Sequence, residues 1–236
     1  MSEAFSVVAD TAGFVVLAKS AGVSFHSELG PGLVVLAEQA LGIKLYPVHR
    51  LDKVTSGLIV MAKNSHTAAL LSAQFQAHQV EKYYLALSYS TAGKKQGWVK
   101  GDMAPARRGA YKLLPSHHNP AVSYFISRGF ENKPFRAYLI KPFTGKTHQI
   151  RVALKSISAP IAGDSLYQGE AADRVYLHAY ALCFTLDDKE HQFCIAPVQG
   201  KLFQELAADS NTLLQWQTPW LLNWPDYKKP VSQVVL

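Results

Sequence analysis

The apolar positions of this chain fall into short runs divided by polar turns, and their spacing predicts many strands and few helices. Phe5 to Ala9 and Phe14-Val15-Val16-Leu17-Ala18 read as two strands joined by the turn residues Thr11-Ala12-Gly13. After Gly30-Pro31-Gly32, the residues Leu33, Val34, Leu36, Ala37 and Leu41 fit one face of a helix. Leu58-Ile59-Val60-Met61-Ala62 is an apolar strand running into Lys63-Asn64. Ser65 is then placed to cap a helix from His66 to about Ala77. Glu81 to Leu87 is a β-prone run. Tyr124-Phe125-Ile126 and Arg136 to Ile140 read as paired strands, and Thr144-Gly145-Lys146-Thr147 as a turn into a helix from about His148 to Ser156. Leu182 to Leu186 and Gln192 to Ala196 alternate like a hairpin across Asp187-Asp188-Lys189-Glu190. The Trp/Pro-rich tail from Trp216 to Tyr227 is expected to pack on the surface rather than to carry chemistry.

Composition narrows the class. The 236 residues, 48% of them apolar, are enough for one domain or two closely packed halves, with no repeat and no disordered tract. A net charge of +7 and a pI of about 9.3 favour a polyanionic partner, nucleic acid above others. The surplus is densest between Lys94 and Lys112, where Lys94, Lys95, Lys100, Arg107, Arg108 and Lys112 meet a single acid, Asp102. That stretch predicts a loop or hairpin with a cationic face, which either contacts RNA phosphates or only solubilises the protein.

Cys183 and Cys194 sit in apolar settings and read as buried thiols of a reducing compartment. Neither they nor the nine histidines show metal-ligand spacing. Met1-Ser2-Glu3-Ala4 carries acid where a signal peptide would carry base. No apolar run approaches the roughly 20 residues of a membrane span. A cytoplasmic protein with no membrane association is expected.

Two segments combine polar residues that a core would not select. In His49-Arg50-Leu51-Asp52-Lys53, a carboxylate is flanked by cations that would hold it ionised, and Thr55-Ser56-Gly57 can form a tight turn. Taken locally, a structural ion pair is the leading explanation. In Gly145-Lys146-Thr147-His148-Gln149-Ile150-Arg151, the Gly-Lys-Thr suggests a phosphate loop. That motif needs a glycine five residues before Gly145, and Ile140 stands there. If Thr147 starts a helix, Arg151 lies one turn on and either pairs with a distant carboxylate or is a surface charge. A Ser/His/Asp set has no Gly-x-Ser-x-Gly turn to support it.

Together the segments resemble the RluA-type RNA pseudouridine synthases. Pro47-Val48-His49-Arg50-Leu51-Asp52, Thr55-Ser56-Gly57-Leu58 and Ala62-Lys63-Asn64 are similar to that family's catalytic motif. Lys82-Tyr83-Tyr84-Leu85-Ala86-Leu87 resembles its second motif, and Thr144 to Val152 its third. Pro160-Ile161-Ala162-Gly163-Asp164, Leu166-Tyr167 and Leu177-His178-Ala179 follow in the family's order. The early Lys-Pro-x-Gly appears as Lys19-Ser20-Ala21-Gly22, Ser123 replaces a threonine and Ala153 a common histidine, which suggests a divergent branch.

The resemblance implies an α+β fold with a mixed, mostly antiparallel central sheet, flanking helices and a central cleft. It also implies a single catalytic domain over residues 1–236, with its core at about 5–203 and no separate S4 RNA-binding domain. It implies isomerisation of uridine in structured rRNA or tRNA by a monomer without cofactor or metal, with Asp52, Tyr84 and Arg151 catalytic. Substrate contacts would come from His49, Arg50, Leu51, Thr55, Lys82, Lys146, His148, Gln149 and Leu154, with Arg107 and Arg108 on phosphates and Arg50 filling the place of a flipped base. The competing expectation is a non-catalytic RNA-binding or RNA-folding protein of the same fold.

Overall fold

A computed structural model describes residues 4–28 and 30–227, so the reading of Met1-Ser2-Glu3 lies outside the described residues. Strands β1 (Phe5–Asp10) and β2 (Phe14–Lys19) pair antiparallel, and Thr11 Oγ1 closes their turn by accepting from the Phe14 N–H at 3.0 Å. Helix α1 (Leu33–Leu41) ends where Gly42 turns left-handed, at φ 67°, and returns its N–H to Glu38 O. The two-residue β3 (Tyr46–Pro47) lies beside β4 (Ser56–Ala62), whose every residue is buried. Helix α2 (Ser65–Ala77) is capped by Asn64, not by Ser65: Asn64 Oδ1 accepts from the Thr67 N–H at 2.8 Å.

Next come β5 (Glu81–Ser88), β6 (Gln96–Gly101), β7 (Met103–Pro105) and β8 (Tyr111–Leu113). The basic stretch is thus not one loop. β6 is a strand of the main sheet, and only β7 and β8 form a separate hairpin with Arg107 and Arg108 exposed on its turn. The pair β9 (Ala121–Gly129) and β10 (Arg136–Pro142) leads to helix α3 (Gln149–Ser156). The long β11 (Leu177–Leu186) turns at Asp187-Asp188, both left-handed, into β12 (Lys189–Cys194). Helices α4 (Lys201–Ala208) and α5 (Ser210–Gln215) follow, and a 3-10 turn over Pro219–Leu221 comes after them.

The main sheet runs β1-β2-β4-β11-β5-β10-β9-β6, with β3 beside β4 and β12 beside β11. Every pairing is antiparallel except β4 with β11, which run parallel over two residue pairs, His178 with Ser56 and Ala179 with Gly57. Gly57 sits at φ 109°, and a Cβ there would lie 2.3 Å from Ala179 O. Only glycine permits this approach. The architecture is α+β.

Registers place Trp98, Tyr124 and Lys141 in one row across β6, β9 and β10, and Lys141 Nζ lies 5.2 Å from the centre of the Tyr83 ring of β5. The C-terminal tail packs on that row, Trp224 lying 5.5 Å from the Tyr83 ring and 6.1 Å from Tyr124. Their neighbours Tyr84 and Ile140 therefore project from the opposite face, where α3 lies. Cys183 is buried and Cys194 half-buried, and burial pushes their thiols up to about 12 and about 11. Among the described residues, no helix is long and apolar enough to cross a membrane.

Candidate functional site

The segment before β4 is clamped from two sides. On one, the His49 ring accepts the Val60 N–H through Nε2 at 3.0 Å and stacks on Phe75 with centroids 4.4 Å apart. Burial, and then the charge of Lys82, draws His49 down to about 3, so the ring is a neutral strut. On the other, the buried Lys19 Nζ donates to Ser20 O at 2.8 Å, Val23 O at 2.9 Å and Lys53 O at 3.2 Å. Burial, then Arg174, lowers Lys19 to about 7, with Asp52 pulling the other way. The turn closes with Thr55 N–H on Asp52 O at 3.0 Å; Ser56 and Gly57 already belong to β4. Asp52 is left facing the cleft, while Lys53 turns outward, its Nζ 4.0 Å from Glu28.

The opposing wall is built on Gln149. Its Oε1 accepts from Thr144 Oγ1 at 2.8 Å and from Lys146 N–H at 2.9 Å. Its Nε2 donates to Val122 O and Ser123 Oγ, each at 3.0 Å. These bonds tie the Gly145 turn to β9, so α3 starts at Gln149, later than Thr147, after a left-handed His148 at φ 56°.

Arg151 then lies in the first turn with its side chain 6% exposed. Its main partner is Asp164, 1% exposed, by a two-point contact of Nε to Oδ2 at 2.7 Å and Nη2 to Oδ1 at 2.8 Å. The remaining nitrogen, Nη1, reaches Asp52 Oδ2 at 3.5 Å. Burial opposes the guanidinium charge, but the bonds and charge of Asp164, helped by Asp52, outweigh it and raise the Arg151 pKa. The Tyr167 ring lies beneath, its centroid 4.9 Å from Arg151 Cζ. Tyr167 Oη also touches His148 Nδ1 at 2.9 Å, and His148 Nε2 stands 3.8 Å from Asp52 Oδ2.

Tyr84 completes the site from β5, flanked in register by Ile140 and Ala179. Burial, and secondly the Asp52 charge, raises its phenol, which stays protonated. Burial lowers Lys82, which among the described residues has no carboxylate within ion-pair distance.

One cavity of about 90 Å³ collects Asp52, Tyr84 and Arg151 with Arg50, Leu51, Thr55, Lys82, Lys146, His148 and Gln149. A larger one of about 400 Å³ adjoins it, shares Arg50, Asp52, Lys82, Tyr84 and Lys146, and adds His49 and Phe75. Leu154 lines neither; it lies in the core, 1% exposed. Arg107 and Arg108 stand outside, on the hairpin turn. Asp164, Tyr167 and Lys19 are the residues that sequence reasoning gave no role. The acid and the tyrosine stand in a family landmark, but nothing local marks their reach to Arg151. Among the described residues, no group of His, Cys, Asp and Glu is arranged to hold a metal ion.

Such a site can hold a small planar group beside a carboxylate that an arginine faces at 3.5 Å, with cations at the rim for phosphates. Residues 13–156 match the family model described as RNA pseudouridylate synthase. The chain is 44% identical to an uncharacterized RNA pseudouridine synthase of Haemophilus influenzae, over 84% of this chain and 89% of that one. It is 30% identical to the tRNA pseudouridine synthase C of Haemophilus ducreyi, over 81% and 90%. Human RNA Pseudouridylate Synthase Domain Containing 1 has the same fold, with a TM-score of 0.70 and 23% identity over 86% of this chain and 94% of the other.

Proposed function

The chain belongs to the RNA pseudouridylate synthase family and is an isomerase acting on RNA; from that premise we propose that Asp52 is its catalytic carboxylate, acting on uridine in structured tRNA or rRNA. The observation that carries this is the Asp52 carboxylate, open to the cleft on a doubly clamped turn, with Arg151 at 3.5 Å and Tyr84 beside it. Isomerisation breaks the C1′–N1 bond, turns the uracil and rejoins it through C5. Asp52 is suited either to attack C1′ or to take a sugar proton on a route through a glycal. Arg151 keeps the carboxylate aimed, and a planar guanidinium fixed by Asp164 does so better than a lysine.

Tyr84, neutral, packs against the uracil and stands near its C5 proton. The small cavity admits a base only after it leaves its stack, and the exposed Arg50 at the rim fills the vacated place. Lys82 and Lys146 hold flanking phosphates, and Arg107 and Arg108 extend that contact along the RNA. The whole functions as a single catalytic domain.

The test uses RNA carrying tritium at uridine C5, with release to water as the readout. Wild-type protein is expected to release tritium from total cellular tRNA or rRNA, and Asp52→Asn to reduce release to background. Release undiminished in the variant would remove Asp52 as the catalyst. Absence of release by the wild type, with RNA still bound, would favour an RNA-folding protein that lacks catalysis. Comparing pseudouridines in cells with and without the protein identifies the site.

A further inference from the structure

Tyr167 is 4% exposed and lies between three parts of the site: the basic hairpin, His148 and Arg151. Its oxygen accepts the Tyr111 N–H of β8 at 3.0 Å. It also meets His148 Nδ1 at 2.9 Å. A phenol has one proton to give, and among the described residues no other acceptor lies within hydrogen-bonding distance of this one. That proton therefore goes to His148 Nδ1. The imidazole proton is then on Nε2, the nitrogen that points at Asp52 Oδ2 from 3.8 Å. The other end of the ring suits the same tautomer, because Asp52 Oδ2, 3.8 Å away, offers only lone pairs toward Nε2. The Tyr111 ring, edge-on to His148 at 5.8 Å, packs the imidazole from the hairpin side.

We propose that Tyr167 is a positioning residue that fixes His148 as the Nε2–H tautomer, giving Asp52 a second donor beside Arg151 and tying that donor to the basic hairpin through Tyr111. This rests on the reading of Asp52 as the catalytic carboxylate, and it adds a histidine and a tyrosine to the groups that hold it. The 3.8 Å separation is longer than a hydrogen bond, so the second donor bonds Asp52 only where that gap closes in the working complex. The charged groups facing His148 are Asp52, Arg151, Asp164 and Arg50; burial, joined by the two arginines, outweighs the two carboxylates and lowers its pKa, so the ring is neutral when it acts.

The tautomer is observed directly in long-range ¹H–¹⁵N spectra of histidine-labelled protein at neutral pH. His148 is assigned among the nine histidines by the signal that disappears in His148→Gln. The expected wild-type ring has Nε2 protonated and Nδ1 bare. In Tyr167→Phe the bare Nδ1 loses its donor, so the tautomers mix and the ring protonates at higher pH than in wild type. A wild-type ring protonated on Nδ1, or a spectrum unchanged by Tyr167→Phe, overturns the proposal. Neither reading depends on whether Asp52 is the catalyst, which tritium release from Asp52→Asn tests separately.

Kinetics supply a second arm. Tyr167→Phe is expected to lower kcat on the order of tenfold with KM little changed. Glutamine places its amide nitrogen near the position of Nε2 and asparagine near Nδ1, so His148→Gln should retain more activity than His148→Asn. Backbone strain alone predicts the reverse, because asparagine tolerates the left-handed φ of 56° better than glutamine. Asparagine equal to or better than glutamine overturns the proposal.

Discussion

Asp164→Asn is the substitution that most sharply tests how the cleft is held together. The two carboxylate oxygens take Arg151 Nε at 2.7 Å and Nη2 at 2.8 Å with both side chains buried. An amide of the same shape keeps one acceptor and turns an N–H₂ toward a guanidinium N–H, so one bond is lost and a donor faces a donor. Removing one partner of a buried pair costs about 3–5 kcal/mol. Arg151 retains Asp52 at 3.5 Å and the Tyr167 ring at 4.9 Å, which argues for the lower end, about 3 kcal/mol. For a chain of this size that is a fall in Tm of roughly 6–12 °C, read by circular dichroism.

Tritium release, measured well below both transitions, should show kcat down about 10- to 100-fold, because an arginine no longer held from behind aims poorly at Asp52. KM should change little. Combining Asp164→Asn with Asp52→Asn should destabilise by more than the sum of the two, since the second change removes the carboxylate that remains. A Tm within about 2 °C of wild type together with unchanged kcat would refute the reasoning and make the two-point contact incidental.

Other measurements test the remaining parts. His49 and His178 are both drawn to about 3, chiefly by burial, so the folded state stays neutral while the unfolded chain protonates below about pH 6.5. Stability is therefore fully present above pH 6.5 and lost as pH falls toward 3, by up to about 1.4 kcal/mol per pH unit for each ring. Urea titrations across that range should show His178→Asn with a slope smaller than wild type by up to about 1.4 kcal/mol per pH unit, and an equal slope would contradict the assignment. Arg107→Gln with Arg108→Gln should weaken RNA binding and flatten the plot of log affinity against log salt by about 1.5; an unchanged slope would leave the hairpin as a solubilising surface. Gly57→Ala should destabilise by about 3 kcal/mol or more, measured as Tm or soluble yield, because its Cβ would meet Ala179 O at 2.3 Å.

Most elements were legible because local rules decide them. The spacing of apolar residues marks β1, β2, α1 and β5, and the structure keeps those boundaries within a residue or two, although β1 buries none of its residues and β2 is buried on both faces. Misreadings occurred where a long-range partner overrode the local signal. Ser65 and Asn64 are both good caps, and the geometry selects Asn64. β6 reads as part of a basic loop or hairpin because its one charge, Lys100, is exposed, and only its register with β9 reveals it as a strand of the main sheet. His148 reads as helical, whereas Gln149 anchoring to β9 forces it left-handed.

In the cleft, Asp52, Tyr84 and Arg151 were found through resemblance, since by itself the Asp52 segment reads first as a structural ion pair. Asp164 and Tyr167 went without a role because nothing near them in sequence signals a guanidinium 13 to 16 residues upstream. Lys19 looks like any strand-end cation until three carbonyls surround it.

The parallel junction of β4 and β11 also bears on how the protein folds. It brings Gly57 to Ala179 across more than a hundred residues and joins β1, β2 and β4 to the remainder of the sheet through only two residue pairs. Closing so long a loop costs entropy before it returns contacts, so this junction forms late. Asp52 stands just before one side of it, while Arg151 and Asp164 belong to the other. An intermediate that has built both portions but not joined them holds the carboxylate and its arginine apart. Recovery of tritium release during refolding would therefore follow the slowest structural phase, making the chemistry itself a clock for completion of the fold.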